Sequence, residues 1–227
     1  MSGELAASPC VAGILLAAGQ GSRLGQPKAL IMLGGQSLAR RGVAMLRTGG
    51  ADPVIVVTGA AGPGELGPGA EDTAGLAPDN TAGLAPDNTA VRTVHNPQWL
   101  TGMGSSLAIG LAAVPEQCTA AVVALADQPL VGPVAVSRLI AAHAAGAEVA
   151  VSCYDARPRN PVLISREHWP DVIALAVGDV GARPFLRAHP ELVTRVECGD
   201  TGLPDDVDTQ DDLARVERLL AEKATSP

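Results

Sequence analysis

Aromatic side chains are rare in this sequence of 227 residues, because Phe, Tyr and Trp together make up only 2% of it. Their scarcity excludes ring stacking as the main way of holding a nucleobase or a single-stranded nucleic acid. Acidic residues outnumber basic ones, and a formal net charge of −8 argues against a nucleic-acid or anionic-membrane surface. Any anionic ligand must therefore be bound by a small local group of cations and backbone amides.

Long hydrophobic runs and closely spaced cysteines are also missing. No run reaches the roughly 20 apolar residues of a membrane-spanning helix. The run from Cys10 to Ala18 lacks the preceding cations of a signal peptide, so we interpret it as a buried strand. Without a C-x-x-C pair, the cysteines indicate neither a zinc site nor a redox pair, and we expect buried free thiols in a cytoplasmic protein. The cysteines are Cys10, Cys118, Cys153 and Cys198.

Short apolar runs alternate with helix-like segments, which predicts a parallel sheet covered by helices. The runs are VAGILLAAG (11–19), PVIVVTG (53–59), AAVVALAD (120–127) and AEVAVSC (147–153). We expect helices near 37–48, 104–114, 133–145, 167–176 and 209–221. The predicted fold class is α/β: a single-domain, Rossmann-like, doubly wound and mostly parallel sheet with helices on both faces.

One domain is predicted over residues 10–222, between a flexible N-terminus (1–9) and a short tail (223–227). Residues 59–90 are rich in Gly, Pro and Ala and contain TAGLAPDN twice in succession, at 73–80 and 81–88. Such copies are too short for a solenoid, whose units have about 20 residues or more. We therefore predict a low-complexity surface loop without a functional role.

The first predicted strand runs into a glycine-rich segment, GILLAAGQGSRLGQPKAL, at residues 13–30. A strand, a glycine-rich turn and then a helix is the layout in which backbone N–H groups surround an anion. The dinucleotide fingerprint fails because Leu24 stands where its third glycine belongs. The P-loop fails because two residues separate Gly25 from Lys28. The segment therefore predicts a different phosphate loop, with Arg23 and Lys28 as its cations.

Acidic residues stand where predicted elements end or begin. Asp127 closes the apolar run AVVALAD, which puts its carboxylate at the carboxyl edge of the sheet, where ligands bind. Asp206 and Asp208 are two residues apart and would share one face of a short strand. A bound triphosphate brings Mg²⁺, which takes one or two protein carboxylates. Helix capping is the alternative use of Asp127, and Asp208 or Thr209 would cap the helix that follows.

The segment HNPQWLTGMGSSLAIGL (95–111) places Ser105 and Ser106 at a predicted helix start. Either serine is an ordinary N-cap candidate. In a chain with so few aromatic rings, their hydroxyls and the nearby backbone amides are also suited to reading a base. No histidine stands in a pattern with Ser or Cys that would indicate a catalytic triad.

Taken together, these motifs resemble a known family. L-A-A-G-x-G-x-R-L-G-x-P-K resembles the signature loop of nucleotidyltransferases that activate small phosphates or sugars with an NTP. With N-P-x-W-x-x-G-M-x-S-S-L, L-A-D-Q-P, a P-V-L strand and G-D-x-G-A-R, residues 11 to about 220 are similar to the molybdenum-cofactor cytidylyltransferases and xanthine-dehydrogenase accessory proteins, in the MobA-like NTP transferase superfamily. The resemblance implies a fold of the nucleotide-diphospho-sugar transferase type, and transfer of CMP from CTP to a molybdopterin-type pterin phosphate with Mg²⁺ as cofactor.

The resemblance also implies roles for individual residues. It makes Arg23, Lys28 and Asp127 catalytic and gives the metal to Asp127 and Asp208, with Asp206 as the alternate. The implied nucleotide-binding residues are Leu16, Ala17, Ala18, Gly19, Gly21, Ser22, Arg23, Lys28, Ser105 and Ser106. The implied acceptor-binding residues are Asn160, Pro161, Gly181 and Arg183, although relatives usually carry Gly and often His where this chain has Arg159 and Asn160.

Two other functions compete with this prediction. CTP is preferred as donor because residues 16–19 look like the cytidylyl branch, but a guanylyltransferase, or an NTP transferase with another small phosphate acceptor, is the alternative. The second alternative is a non-catalytic carrier that delivers the molybdenum cofactor to a molybdenum hydroxylase as partner. The set of Lys28, Asp127 and Asp208 favours catalysis, because a carrier has no use for a paired-acid metal site.

Overall fold

A computed structural model of the chain describes residues 10–66 and 91–225, which form nine β-strands and six α-helices. The strands are β1 (Cys10–Ala17), β2 (Met32–Leu33), β3 (Gln36–Ser37), β4 (Val54–Thr58), β5 (Val91–His95), β6 (Cys118–Leu125), β7 (Val149–Tyr154), β8 (Arg157–Ser165) and β9 (Val193–Glu197). The helices are α1 (Leu38–Thr48), α2 (Met103–Ala112), α3 (Pro133–Ala144), α4 (Trp169–Leu175), α5 (Arg183–Ala188) and α6 (Gln210–Thr225). The predicted flexible N-terminus, most of the predicted loop and the last two residues lie outside the described residues.

Seven strands form one sheet in the order β5-β4-β1-β6-β8-β7-β9, and β2 pairs with β3 as a separate ribbon. Pairing is parallel between β1 and its neighbours β4 and β6, between β4 and β5, and between β7 and β9. Only β8 runs against its neighbours in this sheet, pairing antiparallel with both β6 and β7. The predicted mostly parallel sheet is therefore confirmed. The carboxyl ends of the parallel strands and the beginning of β8 meet at one edge, which we call the functional edge.

Strand β1 is buried on both of its faces, which is why it reads as an unbroken apolar run. Leu15 and Ala17 point into a core that includes residues of α1 and α3. Ile14 and Leu16 point into a second core that includes residues of α2, α4 and α5. Helices therefore cover both faces, as the doubly wound prediction requires. Helix α6 packs through Val216 on a smaller apolar cluster that contains Leu24.

A tight hairpin joins β7 to β8 at the functional edge. Its two turn residues, Asp155 and Ala156, both have positive φ, at 50° and 59°, as a two-residue hairpin turn of this kind requires. Tyr154 pairs with Arg157 on either side of the turn. Beyond the turn, the Asn160–Pro161 peptide bond is cis.

The four predicted apolar strands are all present, whereas β2, β3, β5, β9 and α5 were not predicted as elements. Strand β5 is short and only partly buried, and β9 has no buried residue, so neither has a strong apolar pattern. The helix predicted from position 167 begins at Trp169 after a short 3-10 turn, and the helix predicted to end at 221 continues to Thr225. No helix in the described part of the chain combines the length and apolar character that crossing a bilayer requires.

The cysteine prediction is half wrong. Cys153 and Cys198 are buried free thiols, as expected. Cys10 and Cys118, however, stand opposite each other on β1 and β6 and form a disulfide across 108 positions of sequence. Sequence spacing could not reveal this pair, because only the register of two distant parallel strands brings the thiols together.

Candidate functional site

The glycine-rich turn after β1 folds back on itself and returns Lys28 to the end of that strand. The Lys28 backbone N–H donates to the Gly19 carbonyl at 3.2 Å, and the Leu24 N–H donates to the Gly21 carbonyl at 2.8 Å. Gly21 has a φ of +63°, and a Cβ there would lie 2.1 Å from the carbonyl oxygen of Gln26. Only glycine fits such a position, so this tight turn depends on the sequence pattern that predicted it.

Two carboxylates from distant parts of the chain meet the Lys28 side chain. The Lys28 Nζ atom lies 2.6 Å from Asp127 Oδ2 and also donates to Asp208 Oδ1. Burial lowers the pKa of Lys28, but the charges and hydrogen bonds of Asp127 and Asp208 outweigh burial and raise that pKa above its usual 10.5. A protonated ammonium is therefore held between two carboxylates at the functional edge.

Backbone and side-chain hydrogen bonds hold Asp208 in this position. The Val207 N–H donates to the Asp127 carbonyl at 2.8 Å, so the chain that carries Asp208 is attached to the turn after β6. Thr209 caps α6: its Oγ1 accepts from the Asp212 N–H at 3.2 Å, while Asp212 Oδ2 accepts from the N–H groups of Thr209 and Asp208. This reciprocal cap fixes the backbone on which Asp208 stands.

The predicted short strand through Asp206 and Asp208 is wrong, because no strand lies between β9 and α6 in the described chain. The two acids consequently go to different partners. Asp206 Oδ1 accepts from Gln128 Nε2 at 2.9 Å, whereas Asp208 contacts Lys28. Gln128 follows Asp127 directly and was not singled out in the sequence, although it links the same two segments. The geometry thus brings Asp208, and not its alternate, to the lysine.

A cavity of about 410 Å³ opens beside this charged group. Its walls are the end of β1 with the residues that follow it, the segment around Trp99 and Met103, the end of β6, and Asp179. Six of the predicted nucleotide-binding residues line it, namely Leu16, Ala17, Ala18, Gly19, Lys28 and Ser106, as does Asp127. Small and aliphatic side chains form much of the wall, with few charged groups, which suits a nucleotide held by backbone and hydroxyl groups.

Ser105 and Ser106 are not helix caps, because α2 begins at Met103 with Gly102 as its N-cap. Their hydroxyl oxygens instead accept hydrogen bonds from Asn96 Nδ2, at 2.8 Å and 2.9 Å. Asn96 is fully buried directly after β5 and was not singled out in the sequence. The signal available was a polar residue following a strand, which is weak evidence alone because such residues commonly belong to turns.

The far wall of the cavity is a loop pressed against the start of α2. The Gly104 N–H donates to the Gly178 carbonyl at 2.8 Å, and the Met103 N–H donates to Asp179 Oδ1 at 3.2 Å. A Cβ on Gly102 would lie 2.4 Å from the Gly178 carbonyl carbon, so glycine is required for this approach. Asp179, within the G-D-x-G-A-R motif but not among the predicted site residues, thereby brings a carboxylate to the cavity.

Other predicted residues lie near the functional edge without lining this cavity. Arg23 is exposed on the turn and has no charged partner among the described residues, and Ser22 lines a neighbouring open cavity beside Trp99. Gly21 and Ser105 are structural neighbours of the site, as described above. On the acceptor side, Asn160 and Pro161 lie where β8 reaches the edge, Gly181 is buried against Met103, and Arg183 is exposed at the start of α5.

The pair of carboxylates fits a divalent cation. Both Asp127 and Asp208 offer oxygen, the ligand atom that Mg²⁺ and Mn²⁺ accept from proteins. Both are already within hydrogen-bonding distance of one cationic atom, Nζ of Lys28. Both carboxylates are partly exposed, so water and phosphate oxygens would have access to complete a coordination shell.

Comparisons with known proteins show which family the chain resembles. A model of the MobA-like NTP transferase domain matches residues 13–193. Nicotine blue oxidoreductase of Paenarthrobacter nicotinovorans is 36% identical over 215 residues, which cover 92% of this chain and 97% of that protein. A probable molybdenum cofactor guanylyltransferase of Opitutus terrae is 47% identical over 47 residues, or 21% of this chain and 23% of that protein.

Solved structures share the fold over nearly the whole chain. A homologue of Mycobacterium tuberculosis Rv0371c from Mycobacterium sp. strain JC1 aligns with a TM-score of 0.73 and 31% identity, covering 94% of this chain and 98% of that one. Rv0371c itself, in complex with manganese, aligns with a TM-score of 0.67 and 26% identity, covering 92% and 98%. The shared fold therefore extends over more than nine-tenths of the chain.

Proposed function

The chain belongs to the MobA-like NTP transferase domain family, and we propose that it transfers CMP from CTP to the terminal phosphate of a molybdopterin-type acceptor. The observation that carries the proposal is the convergence of Lys28, Asp127 and Asp208 beside the cavity at the functional edge. Those residues come from three separated parts of the chain. Their charges are the ones needed around a triphosphate and its metal.

In the proposed reaction an oxygen of the acceptor phosphate attacks the α-phosphorus of the nucleotide. A new P–O bond forms to the acceptor, the bond from the α-phosphorus to the β-phosphate oxygen breaks, and pyrophosphate leaves. The nucleophile is already an anion, so no side chain has to remove a proton, which agrees with the absence of a triad pattern in the sequence. The chain's task is alignment and neutralisation of charge.

Lys28 and Arg23 would provide the cations for that task. Lys28 lies at the end of the glycine-rich turn that follows β1. Its ammonium group would contact the oxygens of the leaving phosphates. Arg23, exposed on the same turn, would approach them from the solvent side. Mg²⁺ held by Asp127 and Asp208 would supply further neutralisation of the triphosphate, and the manganese complex of Rv0371c supports a divalent metal in this fold.

The choice of CTP rests on residues 16–19, Leu-Ala-Ala-Gly, which line the cavity and look like the cytidylyl branch. The short match to a probable guanylyltransferase makes GTP the first competitor. Asn160, Pro161, Gly181 and Arg183 are the proposed acceptor-binding residues. A molybdenum hydroxylase is the proposed recipient of the product, and a cytoplasmic location is proposed with it.

A second candidate function comes from the relative named nicotine blue oxidoreductase, whose alignment covers 92% of this chain and 97% of that protein. A reductase of the same fold would need a site for an electron donor and an aromatic acceptor. Neither site requires a lysine shared by two carboxylates. The charged group of Lys28, Asp127 and Asp208 therefore favours nucleotidyl transfer.

Both functions can be tested on the purified chain. Pyrophosphate release is measured with CTP, GTP, ATP or UTP, Mg²⁺ and a molybdopterin acceptor, and oxidation of a reduced nicotinamide nucleotide is measured in parallel with nicotine blue. We expect pyrophosphate release that depends on Mg²⁺ and on the acceptor, and that is fastest with CTP. Release fastest with GTP would overturn the donor assignment alone. Reductase activity without pyrophosphate release would overturn the proposed function, and acceptor binding without either activity would indicate a carrier.

A further inference from the structure

We infer that Asn96 acts as a positioning residue that turns the Ser106 hydroxyl into a hydrogen-bond donor directed at an acceptor atom of the nucleotide base. The inference rests on the proposed function and names a residue that determines how its nucleotide is bound. It is carried by three hydrogen bonds of one buried amide and by the position of Ser106 in the cavity wall.

The orientation of the Asn96 amide follows from its surroundings. One end of the amide lies 2.8 Å from the backbone N–H of Gln98, which can only donate, so the atom facing it must be the oxygen Oδ1. The amide nitrogen is then on the other side and donates one hydrogen to Ser105 Oγ at 2.8 Å and one to Ser106 Oγ at 2.9 Å. The side chain is fully buried, so water does not compete for these bonds.

The two serines differ in what remains for their own protons. The Ser105 hydroxyl donates to backbone carbonyls, to Gly102 at 2.9 Å or to Gln98 at 3.1 Å, and Ser105 does not line the cavity. Ser106 is 2% exposed and does line the cavity. No acceptor for its proton is found within the described parts of the chain. A hydroxyl that already accepts from Asn96 thus has one proton left, and a ligand in the cavity is the available acceptor.

This polarity selects the chemistry of the ligand atom. A free serine hydroxyl can rotate to donate or to accept. One of the two lone pairs of the Ser106 oxygen accepts from Asn96, and the Ser106 proton has no acceptor within the described residues. Ser106 therefore favours a carbonyl oxygen or an unprotonated ring nitrogen, both of which the pyrimidine ring of CTP presents. An exocyclic amino group at the same place would be disfavoured. Asn96 therefore controls base binding without touching the base.

The test is a double-mutant cycle on nucleotide affinity. Binding of CTP is measured by calorimetry, with Mg²⁺ and without acceptor, for the wild type, Asn96→Asp, Ser106→Ala and the double variant. Asp at position 96 still accepts from Gln98 but can only accept from Ser106, which draws the Ser106 proton away from the cavity. We expect about a 10-fold loss of affinity in each single variant and no further loss when Asn96→Asp is added to Ser106→Ala.

Ser137→Ala is the control, because it removes the hydroxyl of an exposed serine on α3 that is not part of the site, and we expect it to change CTP affinity by less than about 2-fold. Steady-state kinetics provide a second readout: Asn96→Asp should raise the KM for CTP and leave the KM for the acceptor unchanged. Thermal unfolding checks that each variant is folded, and Ser106→Ala alone still tests the donor if Asn96→Asp does not fold.

Additive losses of CTP affinity in the double variant, or an unchanged affinity in folded Ser106→Ala, would overturn the inference while leaving nucleotidyl transfer intact. Absence of NTP binding and of pyrophosphate release in the wild type would overturn both.

Discussion

The two halves of the functional edge are built in different ways. In the half formed by β1, β5, β6 and the start of α2, polar groups have fixed partners: Lys28 lies between two acids, and Asn96 holds two serines. In the half formed by the β7–β8 hairpin and the loop before α5, Arg159 and Arg183 are exposed and Asn160 is only half buried. The polar groups of the first half are constrained by their neighbours, whereas the exposed side chains of the second half can change without disturbing the fold.

This difference explains why a resemblance is informative in one half and weak in the other. A residue that must fit a tight turn or satisfy a buried donor is replaced by few others. An exposed arginine at a helix start is compatible with many functions. We therefore expect substitutions in this constrained first half to affect the reaction most, and substitutions among the exposed side chains of the second half to affect it less.

The largest effect is expected from Asp127→Asn. The substitution keeps the shape of the side chain but removes one of the two charges that Lys28 and a metal ion would share. We expect pyrophosphate release to fall about 10³-fold, measured with saturating CTP and Mg²⁺. Asp171→Asn, at an exposed acid of α4, is the matched control and should leave turnover unchanged. Normal turnover in Asp127→Asn would remove the basis for placing chemistry in the constrained half.

Lys28→Gln should give the next largest effect, and it tests whether the lysine and a metal ion use the same two carboxylates. We expect kcat/KM to fall about 10²-fold because a cation beside the triphosphate is lost. Affinity for Mn²⁺ without nucleotide should rise about 10-fold, since the lysine no longer neutralises the two carboxylates. Electron paramagnetic resonance of free Mn²⁺ measures this binding. An unchanged Mn²⁺ affinity would mean that the ammonium and the metal do not use the same acids.

Arg183→Ala tests the exposed half. Because the guanidinium is exposed, its attraction for an acceptor phosphate is screened, and we expect the acceptor KM to rise only about 5-fold with the CTP KM unchanged. Arg187→Ala, on the same helix and also exposed, is the control. A fall in pyrophosphate release as large as that of Asp127→Asn would contradict the expected difference between the two halves.

The smallest effect is expected from Asp212→Ala, which removes the cap that supports the Asp208 backbone. Hydrogen bonds from Thr209 and from backbone amides lower the pKa of Asp212 below its usual 3.8. A carboxylate with a lowered pKa stabilises the fold above pH 3.8 and loses that contribution as the pH falls through its folded-state value. We expect the variant to unfold about 2–4 °C lower than the wild type at pH 7. The difference should shrink below pH 3.8, as followed by circular dichroism, and an equally large difference at low pH would contradict the role of the charge.

The sequence predicted the parts of the molecule whose pattern has a single structural explanation. Four buried strands, the glycine-rich turn and the acid after β6 were all recognisable, because apolar runs and φ-restricted turns leave few alternatives. Asn96 and Gln128 escaped prediction, since their importance comes from partners that are distant in sequence or hidden in a turn. The pairing of Cys10 with Cys118 escaped for the same reason. Spacing alone did not separate Asp206 from Asp208; the resemblance favoured Asp208, and the three-dimensional contacts bring Asp208 to Lys28.

The reversed direction of β8 has a consequence for how this scaffold can vary. Its beginning, not its end, reaches the edge where the parallel strands finish, and it is joined to β7 there by only Asp155 and Ala156. Residues inserted between Asp155 and Ala156 would lengthen the β7–β8 hairpin at the functional edge. Val162–Ser165 would keep their register with β6. Hairpins of different length and sequence could thus be grafted at this one point to re-engineer the scaffold for new small molecules. Lys28, Asp127 and Asp208 would remain unchanged.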